Sequence, residues 1–200
     1  MKSPGNRYHG LSIGLHWLTL VLLVMLYALI ELRGLAPKGS VLREGMKTWH
    51  ETLGLTVFCL VFARLVLRRL FDAPPITPAP PPWQDKAAHA MHWMLYTFLI
   101  IVPLLGWLTL SAKGKPVPFW GLDWPALLSP DKPLARTLQD VHETIGTLGY
   151  YLIGLHAAAA LYHHYFLRDD TVRRMLPRCL SRPRQLRRAA GRPGLPGSPE

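Results

Sequence analysis

The chain has 200 residues, half of them hydrophobic and only 18% charged, with a formal net charge of +11. Its apolar residues are gathered into blocks rather than spaced at core-facing periods, which excludes an ordinary soluble domain and reads as a membrane protein. The basic excess sits mainly between Arg173 and Arg192 with no aromatic residue interleaved, so no nucleic-acid partner is expected there.

In chain order, the first block, 11–30, is about 20 residues without a formal charge, the length of a spanning helix. It is too long for a signal-peptide core and ends in Glu31, Leu32 and Arg33 without a cleavage site, so it reads as a retained helix. The second, 52–67, holds Arg64 and spans only if extended toward Lys47 and Arg69, whose long side chains can snorkel. The third, 87–112, contains Pro103, which neighbouring helices can accommodate and which predicts a kink. The fourth, 144–166, is rich in small residues that admit a second helix or a planar cofactor. The expected fold is therefore all-α: an integral membrane four-helix bundle over residues 1–177, with helices near 10–32, 47–69, 86–112 and 138–167. Beyond Pro177 an Arg-, Pro- and Gly-rich tail, 178–200, is expected to be disordered and in contact with anionic lipid.

Four spans place both termini on one side, and the arginine tail assigns that side to the cytoplasm. The opposite loops are basic too, with Lys38, Arg43 and Lys47 in one and Lys113, Lys115, Lys132 and Arg136 in the other. Cys59 and Cys179 are too few for a disulfide framework, and neither points to a metal site.

Four histidines lie within or at the ends of these segments: His16, His50, His142 and His156. An imidazole in hydrocarbon is costly and needs a partner. His142 and His156 are fourteen residues apart, so they share a helix face and lie about 21 Å apart along the axis. With the topology above, His16 and His156 fall in the inner half of the bilayer, whereas His50 and His142 open their helices in the outer half. Two imidazoles meeting across a bundle are axial ligands for haem iron, and with both axial positions filled such a centre carries electrons rather than binding oxygen. A structural zinc would require four close ligands.

Arg64, fourteen residues after His50, reaches the depth of the inner pair and is a candidate partner for a haem propionate. His89 and His92, with His163 and His164, mark the inner end and are candidates for a quinone or proton-uptake site. Trp17, Trp49 and Trp93 each adjoin a histidine and read as interface anchors.

The segments RYHGLSIGLHWL around His16, WHETLG at His50, FARLVLRRL after it, AHAMHW in the third helix and VHETIGTLGYYLIGLHAAAALYHHYF in the fourth resemble the prokaryotic cytochrome b561 family of membrane haem proteins. The resemblance runs from about Arg7 to Pro177. It implies two haem b groups, one between His16 and His156 and one between His50 and His142, in a bacterial inner membrane. Within the family the chain resembles members described as superoxide oxidases, which implies superoxide as electron donor on the periplasmic side and ubiquinone as acceptor near the inner haem. The basic outer loops suit an anionic substrate, and Lys113 and Lys115 are candidates for steering it. The alternative is a cytochrome b anchor and electron conduit for a dehydrogenase or hydrogenase, although the compact loops offer no obvious docking extension. A proton or metal transporter is a third reading, disfavoured by the lack of inverted repeats and of acidic residues in the membrane.

Overall fold

The structure, a computed structural model, describes residues 7–177; the tail expected at 178–200 lies outside the described residues. Four long helices form α1 (Gly10–Leu32), α2 (Val41–Leu70), α3 (Pro82–Ala112) and α4 (Lys132–Tyr162), and a π-helical turn over His163–Leu167 continues α4. The all-α expectation needs one correction. Between α3 and α4 the chain forms an antiparallel hairpin of β1 (Val117–Phe119) and β2 (Leu122–Trp124), turning on Trp120 and Gly121 at φ 51° and 84°. Two consecutive positive φ values are what a tight two-residue hairpin demands, and a tryptophan seldom supplies one.

Three helices begin earlier than hydropathy indicates, and their caps explain why. Ser40 Oγ accepts the Arg43 N–H at the start of α2, and Asp131 Oδ1 accepts the Leu134 N–H at the start of α4. Pro82 occupies the first position of α3, where its missing N–H is no loss. These extensions run past the apolar blocks, so His50 and His142 do not open their helices but lie about two and a half turns inside them. α3 continues as one helix through Pro103 to Ala112.

Three elements are long and apolar enough to cross a membrane: Gly10–Leu35, Pro82–Ala112 and Lys132–Leu167. α2 falls short in hydropathy because Arg43, Glu44, Lys47, Glu51, Arg64, Arg68 and Arg69 all lie on it. Its apolar face is nevertheless packed into the core. Leu53, Val57 and Val61 are buried with Leu22 and Leu26 of α1 and with Phe98 and Leu99 of α3 in one cluster. Among the described residues, close backbone packing joins α1 to α2, α2 to α3 and α3 to α4. α4 meets α1 and α2 chiefly through side chains.

One end of the bundle is laced together by the segment after α4. Asp170 exchanges hydrogen bonds with Thr77 in the α2–α3 loop, through Oδ1 (2.9 Å) and through its own N–H (3.2 Å). Arg174, 4% exposed, donates to the Pro74 carbonyl, lies 3.4 Å from Asp170 and packs over the Tyr8 ring, while Trp17 Nε1 donates to the Met175 carbonyl at 2.7 Å. The start of α1, the α2–α3 loop and the end of α4 therefore share one end. The hairpin belongs to the other, where Thr52 Oγ1 donates to the Pro118 carbonyl and Trp120 Nε1 to Thr56 Oγ1.

Candidate functional site

The four histidines meet in twos across the gap that α4 leaves. His16 of α1 faces His156 of α4 with ring centroids 6.4 Å apart and planes at 64°; His50 of α2 faces His142 of α4 at 6.3 Å and 84°. Two metal–imidazole bonds of about 2 Å placed end to end, with roughly 1 Å more from each ring nitrogen to its ring centre, separate two centroids by about 6 Å. Both pairs have that separation. Each pair bridges two helices whose backbones are not closely packed, as side chains gripping a third body between them require.

Small residues line the same gap. A Cβ added at Gly54, one turn beyond His50, or at Gly146, one turn beyond His142, meets no atom within 4 Å. These open cradles fit a flat macrocycle better than a helix interface, where a glycine is tightly covered. Gly149 shows that covered condition. It lies midway between His142 and His156 on the same face, and an added Cβ there would run into the Tyr27 hydroxyl and the Phe98 ring. Tyr27 also donates from its hydroxyl to the Gly146 carbonyl at 2.7 Å, so α1 and α3 close the bundle between the two pairs.

The outer pair is oriented by backbone. His50 Nδ1 lies 3.1 Å from the Leu26 carbonyl and His142 Nδ1 2.9 Å from the Val102 carbonyl. A carbonyl only accepts, so both Nδ1 atoms carry the proton and both Nε2 lone pairs are available to a metal. Gly106 makes room for this arrangement: a Cβ on it would sit 3.3 Å from His142 Cε1.

The inner pair is oriented differently. Arg64 points a guanidinium nitrogen at His16 Nδ1 from 3.3 Å, and His92 packs its ring edge-on to His156 with centroids 5.6 Å apart. Arginine can only donate, so in this contact His16 Nδ1 is the acceptor. The Tyr96 ring lies beneath the guanidiniums of both Arg64 (5.8 Å) and Arg68 (5.7 Å).

The remaining candidates separate. His89 is exposed, 2.8 Å from the Asp85 carbonyl on its own helix. His163 hydrogen-bonds through Nδ1 to Oδ2 of Asp169 at 2.6 Å, and Asp169 is 5% exposed. Burial works against the Asp169 charge, yet bonds from His163 and Thr171 outweigh it and hold the carboxyl below its ordinary range. His164 Nδ1 is buried without a partner among the described residues. At the opposite end Lys113 and Lys115 are both exposed, and Lys113 donates to Gln139 Oε1 at 2.6 Å. Burial first, then the Lys115 charge, lowers the Lys113 pKa.

The sequence profile described as prokaryotic cytochrome b561 matches residues 7–178. The chain belongs to that family. Over 173 residues it is 41% identical to "Cytochrome b561 homolog 1" of Escherichia coli K12, covering 86% of this chain and 98% of the relative. It is 37% identical, again over 173 residues, to "Probable superoxide oxidase CybB" of Yersinia pestis, covering 86% and 97%. A more distant match, 28% identical over 176 residues, is "Cytochrome b561 homolog 2" of E. coli K12, covering 86% and 92%. Membership makes the chain a transmembrane, haem b-binding electron-transfer protein.

The carbonyls of Leu26 and Val102 have no signature in a sequence, because every residue offers one. Asp169 carries no signal either, because it lies in a charged turn beyond the apolar block, where a carboxylate is ordinary. Gly106 was visible as a small residue one turn after Pro103, but its neighbour was not.

Proposed function

We propose that this cytochrome b561 carries electrons across the bacterial inner membrane through two haem b groups, one between His16 and His156 and one between His50 and His142. α2 then completes a four-span bundle, with both termini cytoplasmic. Two histidine pairs whose α4 members, His142 and His156, are fourteen residues apart, each pair at the ring separation that two imidazoles sharing one iron would need, carry this reading. A bound haem supplies an iron that takes up and gives up one electron at a time.

The chain's residues prepare the two positions. Leu26 and Val102 hold His50 and His142 with Nε2 directed away from the helix backbone. Arg64 plays a second role at the inner position. With Nε2 of His16 holding a haem iron, its Nδ1 would carry the proton and could no longer accept, and the Arg64 guanidinium would be free to pair with a propionate.

Superoxide is the proposed donor at the outer, hairpin-bearing end, steered by Lys113 and Lys115, and ubiquinone is the proposed acceptor at the inner end. The likeness to a probable superoxide oxidase supports this choice. Two superoxide anions lose one electron each and leave as dioxygen; one quinone takes the two electrons and two protons and becomes quinol. His163, backed by the buried Asp169 carboxylate, can hold a proton at the inner end, and His164, His89 and His92 lie within about three turns of the same end.

The test is to add superoxide to the oxidised protein with a soluble quinone and follow haem reduction. Reduction and quinol formation faster than spontaneous dismutation are expected. Dismutation alone would reject the donor while leaving the haem positions standing.

A further inference from the structure

We propose that a shallow groove on the outside of α2 and α3 binds one anionic phospholipid, its phosphate held by Arg68 and Arg69. The proposal rests on the bundle spanning a bilayer, and on neither the haems nor the quinone. The groove has a volume of about 480 Å³, with Phe62, Val66 and Leu70 of α2 on one wall and Trp93 and Tyr96 of α3 on the other. Phe62, Val66, Leu70 and Trp93 are 45–68% exposed, so nothing among the described residues covers them. That apolar floor suits an acyl chain running along the helices.

The polar end of the groove is what selects a lipid. Arg68 and Arg69 lie in the last turn of α2, both exposed, and among the described residues neither has a carboxylate within 4 Å. The helix dipole favours cations there, but it leaves their N–H donors unused. The Arg68 guanidinium lies over the Tyr96 ring at 5.7 Å, a cation–π distance that favours keeping that charge beside the groove. One guanidinium held over Tyr96 and a second beside it, above an apolar slot, match a phosphate with an acyl chain below it, and the net negative headgroup of phosphatidylglycerol or cardiolipin fits better than zwitterionic phosphatidylcholine.

Native mass spectrometry of the purified full-length holoprotein, released from detergent after incubation with phosphatidylglycerol or phosphatidylcholine at equal concentration, tests the assignment. The wild type should retain one phosphatidylglycerol with an occupancy preference of about thirtyfold, the scale expected from two basic side chains at a membrane surface. The double variant Arg68→Gln with Arg69→Gln should lose the preference, and Lys132→Gln with Arg136→Gln at the opposite end should keep it. Arg68→Lys with Arg69→Lys, which retains the charges, should preserve most of it and guards against a folding defect in the glutamine variant. Equal retention of the two lipids by the wild type would overturn the site. So would loss of preference in the opposite-end control, or displacement of the lipid by inorganic phosphate. A chain that stays soluble and monodisperse without detergent would instead overturn the membrane reading itself.

Discussion

The outer and inner histidine pairs have nearly the same ring separation but are supported by different means. At the outer pair, two backbone carbonyls fix both rings, and Gly106 is spaced to admit one of them. At the inner pair the neighbours are side chains: Arg64 against His16 and His92 against His156. A carbonyl inside a helix barely moves, whereas an arginine can turn and a histidine can also change its protonation. The outer position is thus built for fixed geometry, and the inner one for charge and protons.

The strongest way to break this comparison is to remove α4's contribution to each pair. His142→Ala should abolish the outer haem and leave the inner one, and His156→Ala should do the reverse. Haem content and the reduced b-type spectrum would check this. Loss of both haems from either variant would mean that the two positions do not form independently.

Next in size is Gly149, which separates the two pairs. Gly149→Ala forces a methyl group into Tyr27 and Phe98, and overpacking of this kind costs about 1–3 kcal/mol. Thermal unfolding should shift down accordingly, with both haems affected alike. Gly106→Ala meets only one edge of His142, so it should disturb the outer haem's spectrum while sparing the inner one.

Arg64→Ala sharpens the electrostatic half of the contrast. Removing a fixed positive charge beside the inner position should lower the inner haem's reduction potential by tens of millivolts and leave the outer potential unchanged. A redox titration resolving the two haems reads this directly. Equal shifts would detach Arg64 from the inner position.

The smallest expected effect lies in the segment that laces the inner end. The folded Asp169 carboxyl titrates below its ordinary value of 3.8. Its contribution to stability is therefore fully present above that value and is lost as pH falls through the folded pKa. Hydrogen exchange of residues 168–176 should accelerate in that acid range, and Asp169→Asn should remove the pH dependence while leaving exchange fast throughout.

Much of this organisation is legible in the sequence because it depends on length and period. A hydrocarbon layer requires uninterrupted apolar runs, which marks α1, α3 and α4 by composition alone. A fourteen-residue step on a helix returns to the same face, which aligns His142 with His156 whatever surrounds them. α2 is harder to read, since its charges dilute the apolar signal while its neighbours bury the rest. The hairpin escaped because its turn places a tryptophan at a positive φ, where turn chemistry calls for glycine or asparagine.

By itself, then, the sequence determined the helices, the shared face of the α4 histidines and the family, since each is written in spacing or residue identity along one chain. Only the tertiary structure decided what meets those side chains. The carbonyls of Leu26 and Val102, the Arg64 contact with His16, the Asp169 bond to His163 and the groove beside Arg68 all depend on how separate helices come together, and a backbone carbonyl or an open space leaves no mark in the identity of any residue.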